Sequence, residues 1–324
     1  MREIYNVLRG GSPLLQEESI HIMCLSFEER CLAYPQVIKD LSLPARKHAF
    51  FGIRLSDENV SKFLRELRKK HEGVMREYLP SIQFVTFDET IRRIHDFPQT
   101  INVYIDMSGL PRHYIFRILK TAFEKFEEAC NVRIFCIYTY PKEYAESPLQ
   151  EPATTINYIF ESSTLFREKK LSLIILPGFD VEYTNVGLTH VYSVSNREPD
   201  IYWLIPFPGR TYRFYERVLE SHFHFFKRVS ESDIILYPQE QLRLSFNKLR
   251  KQIESLPEPL IVMPLGCRII CIPTFLSVIF TRGKKRKIDI LFPQTSMYDS
   301  LRSEGYTNPL IEEIPIDITR WVSD

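Results

Sequence analysis

The stretch YIDMSGLPRHYIF, residues 104–116, decides the fold class because it shows a strand passing into a helix. An apolar run ends in Asp106, Ser-Gly follows, and Pro111 opens a segment whose apolar residues recur at three- and four-residue spacing. Proline suits the first turn of a helix, where its missing N–H costs no hydrogen bond. The stretch therefore predicts a strand, a tight turn and a helix.

The same unit recurs along the chain. Short apolar runs such as SIHIMCLSF, KHAFFGIRL, SIQFVTF and NVRIFCIYTY alternate with amphipathic segments. Continuous apolar strands separated by helices are typical of a mostly parallel sheet covered on both faces. We therefore predict an α/β fold of two tandem Rossmann-like parallel-sheet lobes. The first lobe is expected at residues 1–150, a connector with an extra strand at 151–190, and a second, shorter lobe at 191–324.

The second lobe is interpreted as an altered copy of the first. IYWLIPFPGRTYRFYERVLE aligns with IHIMCLSFEERCLAYPQVI, which brings Arg210 onto Arg30. A strand–helix unit, SIQFVTFDETIRRIHDF, then has no counterpart in the second copy. The alternative is that any two Rossmann-like domains share this alternation without being duplicates.

Two further blocks follow in the same order. IVMPLGCRIICIPTF aligns with VYIDMSGLPRHYIFR, which brings Gly266 onto Gly109 and Arg268 near Arg112. DILFPQTSMY falls on IFCIYTYPKEY, which pairs Tyr298 with Tyr144. The order of the blocks predicts an internal duplication.

Ligands of doubly wound sheets bind at the carboxyl ends of the strands, where helix N-termini present free N–H groups. The candidate ligand-binding residues at this edge are Ser26, Glu28, Arg30, Asp106, Ser108, Gly109, Arg112, Tyr144, Arg210, Gly266, Arg268 and Tyr298. Gly109 allows close backbone approach, Ser108 is a helix cap or phosphate donor, and Arg112 suits a phosphate or carboxylate. Asp106 could accept from a ribose or a base. The alternative is structural: Ser108 caps the helix while Asp106 and Arg112 form an ion pair.

Tyrosines follow the last predicted strand of each half. Tyr138, Tyr140 and Tyr144 lie in YTYPKEY, and Tyr298 lies in FPQTSMY. Aromatic rings at this edge could stack on a base, or they could simply fill the end of the sheet.

The segment VYIDMSGLPR, residues 103–112, resembles the strand-end motif of CRISPR-associated Rossmann-fold (CARF) sensor domains, hydrophobic-Asp-x-Ser/Thr-Gly-x-x-Lys/Arg. The tandem lobes resemble the fused CARF-like pair of SAVED-type sensors in bacterial antiphage systems. The resemblance implies that Asp106, Ser108, Gly109 and Arg112 lie at a two-fold interface and bind a cyclic or linear oligonucleotide second messenger. The chain departs from the motif in carrying Leu110-Pro111 before the arginine.

Composition limits the partners. The 42 basic and 41 acidic side chains nearly cancel, so strong non-specific binding of nucleic acid is not expected. No secretory signal and no long apolar run is present, so a cytoplasmic protein without membrane contact is expected. The six cysteines form no CxxC pair, and neither GxGxxG nor a P-loop occurs. We expect reduced cysteines, no metal site and no cofactor.

Three functions remain open. The first is a sensor or regulatory subunit that binds a nucleotide-type ligand at the strand edges between two lobes and signals to a separate effector protein, with a role in antiphage defence that follows from the resemblance. The second is a nucleotide-processing hydrolase or phosphodiesterase that uses Glu28, Glu29 or Asp106 as acid–base groups. The third is a structural assembly subunit with a degenerate pocket. The sequence leaves open whether the chain is an enzyme.

Overall fold

The computed structural model describes residues 1–8, 17–43, 46–58, 60–98, 101–127, 132–144, 153–160, 170–195, 197–209, 212–227, 229–295 and 303–322. The chain divides into two compact units. The first comprises Met1–Ser147 and Met297–Asp317, and the second Pro148–Ser296 and Ile318–Asp324.

The first unit is built on a seven-stranded sheet. Its strands are β1 (Arg2–Glu3), β2 (Ser19–Leu25), β3 (His48–Arg54), β4 (Gln83–Val85), β5 (Asn102–Asp106), β6 (Arg133–Tyr138) and β15 (Leu310–Ile314). Its helices are α1 (Ile4–Leu8), α2 (Ala33–Asp40), α3 (Lys62–Tyr78), α4 (Phe87–Asp96) and α5 (Arg112–Phe126). The strand order is β1-β15-β6-β5-β2-β3-β4, with β2 to β6 parallel and β1 and β15 antiparallel to their neighbours. A separate pair is formed by β7 (Glu143–Tyr144) and β14 (Ser303–Glu304).

Local sequence explains these elements. Every residue of β2 and β5 is buried, as continuous apolar runs in a covered parallel sheet require. The hydroxyls of Ser61 and Thr86 accept from backbone N–H groups in the first turns of α3 and α4, which fixes where both helices begin. Helix α5 begins at Arg112, directly after Pro111.

The second unit is built on a six-stranded sheet. Its strands are β8 (Ala153–Tyr158), β9 (Ser172–Leu176), β10 (Asp200–Pro206), β11 (Ile234–Tyr237), β12 (Leu260–Pro264) and β13 (Ile288–Thr295). Its helices are α6 (Val181–Val194), α7 (Tyr212–Phe226), α8 (Leu242–Ser255) and α9 (Cys271–Gly283). The order is β11-β10-β9-β12-β13-β8, with β8 antiparallel to β13 and the other pairs parallel.

The two sheets share one topology. Numbered along the chain, the five parallel strands of each sheet lie in the order 3-2-1-4-5, and an antiparallel strand, β15 or β8, borders the fifth. A helix follows each of the first four parallel strands in both units. The predicted α/β fold with two Rossmann-like parallel-sheet lobes is confirmed. The shared order is what a duplication would produce.

The structure corrects the predicted alignment of the copies. The first parallel strand of the second sheet is β9, and β10 is the second. Phe207 and Arg210 therefore follow a strand equivalent to β3, so Arg210 is not the counterpart of Arg30. No strand–helix unit was lost, because β11 and α8 occupy its place. The pairing of Gly266 with Gly109 agrees with the topology, since each follows the fourth parallel strand.

The compact units also differ from the predicted lobe limits. Residues 151–190 were expected to form a connector, yet they supply β8, β9 and most of α6 to the second unit. Near the C-terminus, residues 303–314 return to the first unit as β14 and β15. Long-range pairing of this kind leaves no periodic signal in the sequence, because a strand pattern does not name its partner.

Candidate functional site

Asp106 and Ser108 tie together the ends of β5 and β6. The Oδ1 atom of Asp106 accepts from the backbone N of Ser108 at 2.9 Å and from its hydroxyl at 2.5 Å. The Ser108 hydroxyl in turn accepts from the backbone N of Thr139 at 2.9 Å. Both Asp106 and Ser108 are buried. Ser108 therefore holds the edge of the first sheet together, and Pro111 rather than Ser108 is the N-cap of α5.

Glu28 and Arg30 form a buried ion pair beside this link. One carboxylate oxygen of Glu28 accepts from Arg30 Nε at 3.0 Å and from Nη2 at 2.5 Å. Arg30 Nη1 also donates to the Tyr138 hydroxyl at 3.3 Å. Each charged residue is only 3% exposed. Burial is the largest single effect and opposes the charged form of Arg30, but Glu28, Tyr138 and Tyr144 together outweigh it and raise the arginine pKa.

The C-terminal segment closes over this pair. The Ser303 hydroxyl donates to the second carboxylate oxygen of Glu28 at 3.1 Å. Ser303 also lies opposite Tyr144 in the short β7–β14 pair. A general base must accept a proton from its substrate, whereas Glu28 already accepts from an arginine and a serine. The geometry therefore disfavours Glu28 as the acid–base group of a hydrolase.

Gly109 brings the turn after β5 against the turn after β2. A Cβ atom at Gly109 would lie 2.9 Å from the Ser26 Cβ, so only glycine fits here without a shift. The Ser26 carbonyl accepts from His71 Nδ1 at 3.0 Å and from the Cys31 thiol at 3.5 Å. Burial lowers the pKa of His71 and raises that of the Cys31 thiol to about 12. Both groups are therefore uncharged at neutral pH.

The structure thus gathers several predicted residues at one edge. Ser26, Glu28, Arg30, Asp106 and Ser108 are buried and form hydrogen bonds within the first unit, and Gly109 packs against Ser26. Arg112 is half-buried at the start of α5, and Tyr144 is half-buried in β7. Tyr138 and Tyr140 are buried against each other with ring centroids 4.8 Å apart. The role of these residues as ligand contacts stays a prediction.

The second sheet packs its corresponding turns backbone to backbone. The backbone N atoms of Leu265 and Gly266 both donate to the Leu176 carbonyl, at 2.8 and 2.9 Å. A Cβ atom at Gly178 would overlap the Leu265 carbonyl oxygen. Gly178 therefore does after β9 what Gly109 does after β5: it lets two strand-end turns touch at the point where the strand order reverses.

A polar contact flanks this turn. Gln239, which follows β11, is buried, and its side-chain Nε2 donates to Cys267 Sγ at 2.6 Å. Cys267 is the N-cap of the 3₁₀ turn Arg268–Ile270, which leads directly into α9. Both Cys267 and Arg268 are half-buried. A thiol and an amide are thus in contact at the turn that leads into α9, and Arg268 is a residue of that turn.

Aromatic side chains lie at the same edge of the second sheet, and the predicted site residues there, Arg210, Gly266, Arg268 and Tyr298, do not include them. Phe207, directly after β10, is 41% exposed, and Tyr212, the first residue of α7, is 68% exposed. Their rings lie 5.0 and 6.1 Å from the ring of Tyr215. Phe179 and Phe214 form a second contact at 4.2 Å. The signal for this cluster is the density of aromatics in FPGRTYRFY, immediately after a strand.

Two predicted site residues, Arg210 and Tyr298, lie outside the described residues. Within the described ranges, no group of three or more His, Cys, Asp and Glu side chains could hold a metal ion. The described helices include none that is both long and apolar enough to cross a membrane.

Comparison with known proteins identifies no family. No family model matches the chain, and no curated protein shows significant similarity to it. Among solved structures, the cytoplasmic domain of a prokaryotic cation chloride cotransporter is 11% identical over 86% of this chain and 96% of its own, with a TM-score of 0.25. A universal stress protein from Archaeoglobus fulgidus DSM 4304 is 10% identical over 89% of this chain and 97% of its own, with a TM-score of 0.23. Neither likeness bears on function.

Proposed function

We propose that the protein is a ligand-binding regulatory protein whose ligand is of the nucleotide type and binds at the carboxyl edge of the second sheet. The observation that carries this proposal is the aromatic surface at the end of β10 and the start of α7, formed by Phe207, Tyr212 and Tyr215. Exposed rings at the ligand-binding edge of a doubly wound sheet are suited to stacking on a base.

The second part of the proposed site is the beginning of α9. The N-terminal region of a helix favours an anion, and Arg268 lies in the turn that leads into α9. One strand, β9, separates β10 from β12, so the two parts are two strand spacings, about 10 Å, apart. That span is comparable to the reach from the base of a nucleotide to its phosphate. The spacing supports a ligand that stacks at one end and carries negative charge at the other.

The site proposed here differs from the one favoured by sequence alone. At the first sheet, Glu28 is paired with Arg30, Asp106 Oδ1 accepts from Ser108, and Ser303 covers the ion pair. At the second sheet, the side chains next to the turns are aromatic and more exposed. The surface available for stacking therefore favours the second edge.

The resemblance to CARF and SAVED-type sensors selects the first ligands to try. Under this proposal the ligand is an oligonucleotide second messenger, the readout passes to a separate effector protein, and the biological setting is antiphage defence. The motif residues Asp106, Ser108 and Gly109 support the likeness in sequence, although in this chain they lie in the buried network.

The test is ligand binding by calorimetry and thermal shift against mononucleotides, dinucleotides, and linear and cyclic oligoadenylates. Tyr212→Ala should weaken binding by about 5- to 150-fold, because one base stack is worth about 1–3 kcal/mol. Phe223→Ala is the matched control, since Phe223 lies at the other end of the same helix and is 60% exposed. Binding without turnover supports a sensor, and turnover supports the hydrolase. If no nucleotide binds, the structural subunit replaces this proposal.

A further inference from the structure

Cys267 differs from the other described cysteines. Cys24, Cys31, Cys136 and Cys271 are buried, whereas Cys267 is partly exposed at the carboxyl edge of the second sheet. A small buried thiol behaves as a hydrophobic side chain, but an accessible thiol with polar neighbours can react. Among the described cysteines, Cys267 is therefore the one that an oxidant from solvent can reach.

The neighbouring amide is placed to stabilise a thiolate. Gln239 Nε2 donates to Cys267 Sγ at 2.6 Å, a short contact for sulfur. Cys267 also lies at the N-terminal end of the turn that leads into α9, where a negative charge is favoured. Burial and the charge of Cys267 together raise the pKa of Tyr237, so the tyrosine stays protonated beside the sulfur.

The Oε1 atom of the Gln239 amide indicates that a hydrogen-bond donor also binds at this position. Gln239 is 1% exposed, and within the described part of the chain its Oε1 atom has no hydrogen-bond partner. A buried amide oxygen without a donor is costly, so such sites usually receive one. Because Nε2 of this amide already contacts Cys267 Sγ, a hydroxyl attached to that sulfur would lie beside Oε1.

We propose that Cys267 is a redox-sensitive thiol that a hydroperoxide oxidises to a sulfenic acid, with Gln239 as the residue that positions both forms. The thiolate sulfur attacks one peroxide oxygen, the S–O bond forms and the O–O bond breaks. The sulfur loses two electrons, and the leaving alkoxide or hydroxide takes a proton from water. The sulfenic hydroxyl then donates to Gln239 Oε1. The step needs no nucleotide, so it goes beyond the function proposed above.

The test is site-resolved mass spectrometry of the full chain treated with hydrogen peroxide and trapped with dimedone. Folded Cys267 should be labelled at least about threefold faster than the same cysteine in the urea-unfolded chain. The reason is that the larger fraction of thiolate outweighs the lower nucleophilicity of a stabilised thiolate. The four buried cysteines should be slower when folded than when unfolded. Exposure alone cannot make the folded rate exceed the unfolded rate, so faster labelling indicates a stabilised thiolate. Labelling of Cys267 that is no faster in the folded chain than in the unfolded chain would overturn the proposal.

The variant Gln239→Leu distinguishes an effect of the Gln239 amide on Cys267 from an effect of the accessibility of the thiol. It keeps a side chain of similar size but removes the amide, so the labelling rate at Cys267 should fall toward the unfolded rate and sulfinic acid should accumulate faster. Alkylation of Cys267 by a neutral maleimide measures its accessibility in the same variant. An unchanged rate and an unchanged sulfinic yield, with unchanged accessibility, would show that Gln239 has no such role and would overturn that part of the proposal.

Discussion

Replacing Arg30 with methionine removes the cation from the buried pair with Glu28, and we expect a large loss of stability. Glu28 is 3% exposed in the wild-type protein, so its carboxylate would be left in a buried site without the arginine that donates to it, while the Ser303 hydroxyl still donates. Removing one member of a buried ion pair costs about 3–5 kcal/mol, because the other charge is left uncompensated. For a domain of the size of the first unit, this corresponds to a fall in Tm of about 6–20 °C.

The double variant Glu28→Gln with Arg30→Met isolates the cause. A neutral amide can still accept from Ser303, so the double variant should regain about 2 kcal/mol relative to Arg30→Met alone. Urea unfolding followed by circular dichroism gives both values, and hydrogen exchange should locate the loss in peptides that cover residues 19–32 and 133–144. The reasoning is refuted if Arg30→Met costs less than about 1 kcal/mol, or if the double variant is no more stable than the single one.

Three further predictions concern stability. Ser108→Ala removes the hydroxyl that links the ends of β5 and β6 and should cost about 2–4 kcal/mol in urea unfolding; a loss below about 1 kcal/mol would contradict the link. Burial lowers the pKa of His222 from 6.5 to about 4, so the stability that it contributes is present above pH 6.5 and is lost as the pH falls toward 4. Up to about 3 kcal/mol is involved, and His222→Gln should flatten that part of the pH profile, while an unchanged profile would contradict the assignment. Gly178→Ala should cost about 1–3 kcal/mol through overlap with the Leu265 carbonyl, whereas Gly73→Ala on the open face of α3 should stabilise by about 0.5–1 kcal/mol; equal effects would refute the packing argument.

The local sequence at the strand ends predicts which residues lie at the carboxyl edge of the first sheet. Asp106, Ser108 and Gly109 follow a buried apolar run and precede Pro111, and this local order fixes a strand, a turn and a helix. Because parallel strands end on the same side of a sheet, the turn after β2 could be expected beside them. The structure places Gly109 against Ser26 as that rule implies.

The chemistry of the edge was harder to predict. Ser303 reaches Glu28 across 275 positions of the chain, so nothing local shows that the carboxylate already has partners. Glu28 and Arg30 are two residues apart, and whether such a pair faces water or the core depends on what packs above it. The position of these charges in the fold could therefore be predicted from the sequence, but their burial could not.

The second sheet shows a different limit. The sequence pattern predicts LSLIILPGF as an extra strand of a connector, whereas this run forms β9, the first of the parallel strands in chain order. Strands of a parallel sheet carry the same apolar pattern wherever they lie in the order, so pattern matching paired β10 with β2 instead. The pattern alignment therefore favours Arg210 as a site residue, whereas the exposed aromatic side chains after β10 are Phe207 and Tyr212.

The most direct test of the central claim is the affinity of the wild-type chain, Tyr212→Ala and Phe223→Ala for whichever nucleotide of the panel gives the largest thermal shift, measured by calorimetry at fixed salt concentration. We predict saturable binding by the wild-type protein and no change in affinity with Phe223→Ala. Tyr212→Ala should lower the affinity by about 5- to 150-fold, because the loss of one base stack costs about 1–3 kcal/mol. Equal affinity of Tyr212→Ala and wild type, with both variants folded, would contradict the placement of the ligand at the carboxyl edge of the second sheet.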